Sequence, residues 1–249
     1  MKPGGLPQVF EVIAIIENGF APPAIEPHGR LFAPEDAKRF YDRFGAMQDS
    51  QFYERAPLTE LISRADFEQA SSVFELGCGT GRLATRLFAE RLPQQAHYLG
   101  IDISTAMIEI ASRRLKRWSS RATVEQLDGT KGLPYADGQF DRFVATYVFD
   151  LLPLPAIGSL LSEAHRLLTH NGKLCVVSSV EGAGPISGAI SRIWQAIYER
   201  RPGLVGGCRP LHLSKLLDAT RWQIEHSQNV NSWGITSEIV IAKPKHLHK

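Results

Sequence analysis

From Val73 to Arg82 the chain reads Val-Phe-Glu-Leu-Gly-Cys-Gly-Thr-Gly-Arg. A β-favouring apolar run ends in three glycines at alternate positions and passes straight into a helical pattern, the junction of a parallel strand with its crossover helix. Glycine at Gly77, Gly79 and Gly81 lets the backbone take positive φ and leaves space for a ligand where a Cβ would stand. The free N–H groups at the helix start face the same crevice. In an open parallel sheet that crevice lies at the carboxyl ends of the strands, where ligands bind.

Beyond Ser71 the same alternation recurs. Strands are expected near Val73 to Leu76, Tyr98 to Asp102, Thr123 to Leu127, Phe140 to Thr146 and Lys173 to Ser179. Helices are expected near Arg82 to Arg91, Thr105 to Trp118 and Ala156 to Leu168, the last stopped by Asn171-Gly172. A helix near Ala189 to Arg200 and a short one near Ser214 to Ala219 follow, then strand-like runs at Trp222 to Val230 and Ser237 to Ala242. Six prolines before residue 35 disfavour regular structure there. Phe40, Tyr41, Phe44, Met47, Phe52, Tyr53, Leu58, Leu61 and Ile62 recur at helical spacing and predict two amphipathic helices ahead of Ser71. The expected division is an irregular extension over 1–34, a helical cap over 35–70 and a main domain over 71–249, with a substrate-side insertion at about 180–220.

The balance of 28 Lys and Arg against 26 Asp and Glu gives a formal charge of +2, far from that of a general binder of nucleic-acid backbones. Cys78, Cys175 and Cys208 are too few and too far apart for a disulfide framework or a close-spaced metal site, so no metal is expected and a reducing cytoplasm fits. The apolar run Val9 to Ile16 is too short to span a bilayer, and it has neither the charged start nor the cleavage site of an export signal.

The second strand ends in Asp102, 25 residues after Gly77, placed to accept from the two hydroxyls of a ribose. Dinucleotide sites and S-adenosylmethionine sites share this arrangement. Arg82 stands where the dinucleotide fingerprint puts its third glycine. Glu75 suits a ligand with a cationic amino acid end and would repel a pyrophosphate.

With these residues the chain resembles the class I S-adenosylmethionine-dependent methyltransferases, and among them the quinone-biosynthesis and related small-molecule group. Four ordered blocks between Ser71 and Ser179 carry the resemblance: Glu75 to Gly81; Gly100-Ile101-Asp102-Ile103-Ser104 with Met107; Leu133 to Asp141; and Glu163 to Leu168 through Asn171-Gly172-Lys173-Leu174. It implies a Rossmann-like, doubly wound α/β fold with a seven-stranded, mostly parallel sheet, an antiparallel last strand at the edge (Ser237 to Ala242) and the helical cap over the donor site. It also implies that Glu75 and the turn Gly77, Cys78, Gly79, Thr80 and Gly81 hold the methionine portion of the donor. Asp102 would hold the ribose, Ile103 and Met107 the adenine faces, Asp128 with Gly129 the adenine amino group, and Thr146 and Tyr147 would lie under the methyl donor.

The expected reaction is methyl transfer from S-adenosylmethionine to a small acceptor. A sulfonium methyl is already activated, so alignment and exclusion of water are the main tasks and a strong base is optional. Tyr147 and His212 are the candidates for a catalytic contribution; Arg201 and Arg209 flank the same glycine-rich loop as His212. Ala145 to Asp150 lacks the Asn/Asp-Pro-Pro-Tyr/Phe and Pro-Cys signatures of nucleobase methylators. Tyr41, Phe44, Phe52, Tyr53, Trp194 and Tyr198 read as core packing or as a substrate-side lining. Arg113, Arg114, Lys116, Arg117 and Arg121 read as complements to a helix C-terminus, and His246 and His248 as a basic tail. Three alternatives stay open: a nicotinamide-dependent oxidoreductase, a non-catalytic regulatory protein that binds S-adenosylmethionine, and methylation of a macromolecule.

Overall fold

The computed structural model describes residues 38, 39, 42, 52–128, 132–182, 184, 188 and 209–246. Gly129, Tyr41, Phe44, Trp194, Tyr198, Arg201, Cys208 and His248 lie outside the described residues, as do the helix expected at Ala189 to Arg200 and the extension 1–34.

The described elements are α1 (Arg55–Arg64), β1 (Ser72–Leu76), α2 (Arg82–Glu90), β2 (His97–Asp102), α3 (Thr105–Arg114), β3 (Ala122–Gln126), β4 (Phe140–Thr146), α4 (Leu154–Leu167), β5 (Leu168–Val180), β6 (Trp222–Ser232) and β7 (Ile235–Pro244). They form one seven-stranded sheet in the order β3-β2-β1-β4-β5-β7-β6. Strands β1 to β5 pair in parallel, and β7 runs antiparallel to both β5 and β6. The last strand is therefore antiparallel as expected, but it is not the edge. A hairpin returning from β6 inserts β7 beside β5 and leaves β6, with its largely exposed side chains, as the outer strand.

Alternation along the strands divides the core. Val73, Tyr98, Val144, Cys175, Val177, Ile239 and Ile241 face α1 and α2; Phe74, Leu76, Phe143, Ala145, Leu174 and Val176 face α4. Helix α1, expected within a cap, lies as a layer on the first face through buried Leu58, Leu61 and Ile62. The buried Arg142 fastens it: its guanidinium donates to the carbonyls of Ala65 (2.7 Å) and Asp66 (2.6 Å) just beyond the helix end.

Two other expectations change. Asn171-Gly172 does not stop α4; the helix ends at Leu167 and β5 begins at once, because Leu168 already pairs with Phe140. The ladder register shifts before Arg142 pairs with Lys173, so residues 169–172 form an irregularity inside the strand. The region expected as a helix over Ser214 to Ala219 is a single 3-10 turn at Leu213–Lys215, held where the Ser214 hydroxyl donates to Glu238 at 2.5 Å.

The chain leaves β1 toward β2 and β3 and returns to β4 on the other side of β1. The carboxyl ends of β1, β2 and β4 thus converge at the topological switch point, where a sheet of this kind opens a crevice.

Candidate active site

All three glycines of the turn adopt positive φ: 69° at Gly77, 51° at Gly79 and 75° at Gly81. A Cβ on Gly77 would also run into the Val148 side chain, and one on Gly81 would press on Ala111 of α3 at 3.3 Å. The alternation therefore serves two ends, conformational freedom and close approach to the exit of β4 and to α3. Thr80 is buried, and Arg114 donates to its carbonyl (3.0 Å) and its hydroxyl (2.7 Å), so part of the basic cluster fixes the turn.

Asp102 joins the turn to the next helix. Its Oδ2 accepts from the Gly79 N–H at 2.9 Å, and its Oδ1 accepts from the Ser104 N–H at 2.9 Å. Protein crowds the carboxylate while part of its surface stays open. Burial raises its pKa above the ordinary value; the two backbone bonds pull the other way, and the nearby Asp42 adds to the rise. Ser104 caps α3, accepting from the Met107 N–H at 3.2 Å, and its hydroxyl donates to Asp42 at 2.6 Å.

Glu75 was expected to face the donor's cationic end, and the structure places it underneath the turn, 2 % exposed. The Tyr98 hydroxyl donates to its Oε2 at 2.6 Å. Burial pushes the Glu75 carboxyl up to about 8, against the pull of that hydrogen bond, and the charge on Asp102 pushes the same way. At neutral pH the side chain is largely protonated and supports the turn as a hydrogen-bonded neutral group. Burial also pushes the Cys78 thiol well up and the Cys175 thiol up to about 12, which leaves both inert as nucleophiles.

At β4, Thr146 is partly exposed at the strand end and Tyr147 follows at φ 56°, an uncommon conformation for a bulky residue. The Tyr147 ring turns into the core against Tyr53 (5.9 Å between centroids), and its hydroxyl shares a 2.9 Å hydrogen bond with Ser237. Its place is therefore structural at the hydroxyl end. Ile103 is partly exposed, Met107 is buried, and Asp128 is partly exposed just beyond β3, with the preceding Leu127 N–H bonded to the Asp102 carbonyl at 3.0 Å. His212 is partly buried at the N-terminal side of the Leu213–Lys215 turn. Among the described residues no group of three His, Cys, Asp or Glu side chains could hold a metal.

Two buried polar residues here carry little sequence signal. Tyr98 reads as a strand aromatic; its clue is that it shares a strand face with Gly100, opposite Glu75. Asp150 is a lone carboxylate inside the apolar run Tyr147 to Leu152. It is fully buried, accepts from the Ser179 N–H at 2.6 Å, and burial pushes its carboxyl up to about 7.

Residues 73–172 match the family model described as a methyltransferase domain. They form a class I S-adenosylmethionine-dependent methyltransferase domain. The ubiquinone/menaquinone biosynthesis C-methyltransferase UbiE of Rhizobium johnstonii is 30% identical over 147 residues, covering 57% of this chain and 55% of that protein. The demethylmenaquinone methyltransferase of Lactobacillus johnsonii is 26% identical over 129 residues, covering 51% and 50%. The methyltransferase domain also resembles, at 27% identity over 150 residues, the tRNA N(3)-methylcytidine methyltransferase Mettl2 of Drosophila melanogaster, covering 56% of this chain and 46% of that protein. The chain spans about half the length of the curated relatives it matches. Among solved structures, the PH0226 protein of Pyrococcus horikoshii superposes with a TM-score of 0.60 at 16% identity over 86% of this chain and all of that one. The DhpI–SAH complex superposes with a TM-score of 0.60 at 17% identity over 85% and 96%. Both likenesses agree with the seven-stranded fold.

Proposed function

We propose that the chain transfers a methyl group from S-adenosylmethionine to a small, partly apolar acceptor and releases S-adenosylhomocysteine. The observation that carries this is the placement of Asp102. Each of its oxygens already accepts one backbone N–H, from Gly79 and Ser104, and a carboxylate oxygen has a further lone pair to offer. A partly open carboxylate so braced between the glycine turn and the α3 cap suits the paired hydroxyls of a ribose. The donor brings an already activated methyl group. The protein's part is to hold it along the Gly77 to Gly81 turn and Asp102, with Ile103, Met107, Asp128 and Thr146 around it, and to keep water from the reacting centre.

The names of the quinone-biosynthesis relatives support an acceptor that is a small ring compound. The basic cluster supports a small molecule over a nucleic acid. Arg114 is engaged with Thr80, Arg121 donates to the Pro93 carbonyl at 2.6 Å, and Arg117 lies over the Trp118 ring at 3.7 Å. These guanidiniums serve internal contacts instead of forming a free phosphate-binding face.

Calorimetric titration with S-adenosylhomocysteine tests the reading. Binding is expected in the native chain, and Asp102→Ala is expected to weaken it at least about tenfold, the loss of hydrogen bonds to a charged group. Unchanged affinity in a folded Asp102→Ala protein, or tight binding of NADH in place of S-adenosylhomocysteine, overturns it.

A further inference from the structure

Strand β6 is the outer strand of the sheet. Among the described residues β7 alone pairs with it, so along Trp222–Ser232 the backbone N–H and C=O groups directed away from β7 have no strand partner there. Such a row is a template for a further strand, and edges are ordinarily guarded by Lys, Pro, a bulge or an inward charge. Here the guards sit at one end. The register shift falls between Ile224 and His226, and Glu225 is turned to its own chain, taking Lys173 at 3.0 Å and Lys243 at 2.6 Å. His226 lies 3.6 Å from Glu60 of α1. The rest of the strand, Ser-Gln-Asn-Val-Asn-Ser over Ser227 to Ser232, carries neither charge nor proline.

The ends of this strand indicate what the edge takes. Among the large apolar side chains that stand exposed in the described residues, Ile224 (41 %) and Trp233 (54 %) sit at opposite ends of β6, with Trp233 in the turn that follows it at φ 57°. A two-fold interface joins one patch to itself, so a residue that meets a second is answered by the second meeting the first. Antiparallel pairing of β6 with another β6, centred on Gln228 or on Asn229, sets Trp233 of one copy opposite Gln223 or Glu225 of the other, on either side of Ile224. The two exposed apolar ends then answer each other, and in either register Ser227, Gln228 and Asn229 oppose uncharged residues only. A strand of unrelated sequence offers no such reciprocity.

We infer that the chain forms a two-fold dimer by antiparallel pairing of β6 with β6 of a second copy, closed at each end by Trp233 of one copy against Ile224 of the other. The two seven-stranded sheets become one continuous sheet. Strand β6 runs in the same sense as β1 to β5, since both it and β5 are antiparallel to β7. Across the axis the senses reverse, so the two crevices at the carboxyl ends of β1, β2 and β4 open at opposite edges of the joined sheet. Each crevice is built from its own chain, and the inference does not depend on the methyl-transfer reading. One strand and one turn from each copy make a small interface, so the dimer is expected to dissociate in the micromolar range.

Sedimentation velocity of the full chain across a dilution series from about 100 μM to about 1 μM tests the inference. Twice the chain mass is expected at the top of the series and the single chain at the bottom. Amide hydrogen exchange supplies the location: protection over Ser227 to Ser232 is expected to rise with concentration, as the outer row of N–H groups becomes paired. Two variants change side chains that are exposed in the single chain. Gln228→Lys/Asn229→Lys sets like charges across the axis in either register, and Trp233→Asn removes the apolar closure with a residue that tolerates positive φ. Each is expected to raise the dimer dissociation constant at least about tenfold, with the melting temperature of the single chain retained. A native chain that sediments as a monomer at every concentration, a dimer that persists undiminished in either variant, or exchange over Ser227 to Ser232 that ignores concentration overturns the inference.

Discussion

Tyr98 reaches Glu75 only because residue 100 is a glycine. A Cβ at that position would stand 2.6 Å from the Tyr98 hydroxyl and 2.8 Å from Cys78 Cβ, and one of the two groups would have to move. Neither is the loose end of a flexible chain: Tyr98 is packed edge-on against Phe88, and Cys78 belongs to the glycine turn. Gly100→Ala is therefore expected to lower stability by about 1–3 kcal/mol, the usual cost of overpacking, and to weaken S-adenosylhomocysteine binding through displacement of the turn. Thermal unfolding and calorimetry read the two effects. A variant with native melting temperature and native affinity shows that the contact yields freely. Tyr98→Phe isolates the hydrogen bond. It leaves the ring in place and a buried carboxyl without its donor, at a cost of about 1–3 kcal/mol, and chemical denaturation measures it.

At the scale of elements, α4 and the β5 strand that follows it offer a contrast between two glycines. Gly158 lies on its exposed side, and nothing stands within 4 Å of the space a Cβ would fill. Gly158→Ala is expected to stabilise the chain by up to about 1 kcal/mol, the propensity difference in a helix interior. Gly172, inside the irregular part of β5, has Leu168 Cδ2 at 2.9 Å and the Thr169 and Phe140 carbonyls at 3.0 and 3.1 Å from such a Cβ. Gly172→Ala is expected to destabilise by about 1–3 kcal/mol. Denaturant midpoints of opposite sign for the two variants confirm the pair, and the same sign refutes it. This contrast also shows where the sequence could be read and where it could not. Strands β1, β2 and β4 and the starts of α2 and α3 were legible because apolar alternation, glycine spacing and the Ser104 cap are local signals. Asn171-Gly172 misled because a glycine used for close packing inside a strand looks like one used to end a helix. The position of β7 inside the sheet was likewise hidden, since pairing order is set by long-range contacts. In the candidate site, Asp102 announced itself by its place at a strand end. The state of Glu75 was not legible, because its raised carboxyl comes from burial beneath the turn, with Asp102 nearby and against the pull of the Tyr98 hydroxyl, and that burial is set by packing across the sheet.

For the molecule as a whole, the carboxyls raised by burial, Glu75 and Asp150 foremost and Asp102 with them, make stability depend on pH. Glu75 is pushed up to about 8 and Asp150 to about 7, both chiefly by burial. In the unfolded chain they release their protons near the ordinary values of 4.5 and 3.8. Between those limits the folded protein binds more protons than the unfolded one, so stability falls as pH rises, by up to about 1.4 kcal/mol per pH unit for each group. Their contribution is fully present below the unfolded values and is lost as pH rises through about 7 and 8. Asp42, Asp66, Glu163 and Glu225 act in the opposite sense, since their carboxyls are lowered and their contribution disappears only as the solution turns strongly acidic. His246, lowered by burial and by His165 and His170, also favours higher pH, but weakly because it is exposed. These opposed trends place the stability maximum on the acid side of neutrality. The melting temperature is expected to fall by about 5 °C or more between pH 5 and pH 8.5, at about 2–4 °C per kcal/mol for a domain of this size. Glu75→Gln keeps the neutral shape of the protonated side chain, so it is expected to flatten the slope between pH 5 and pH 8 while leaving Asp150's share in place. A melting temperature that stays level across that range in the native chain means that both carboxyls ionise inside the fold, and the neutral support beneath the glycine turn is then lost as an explanation of how Glu75 serves it.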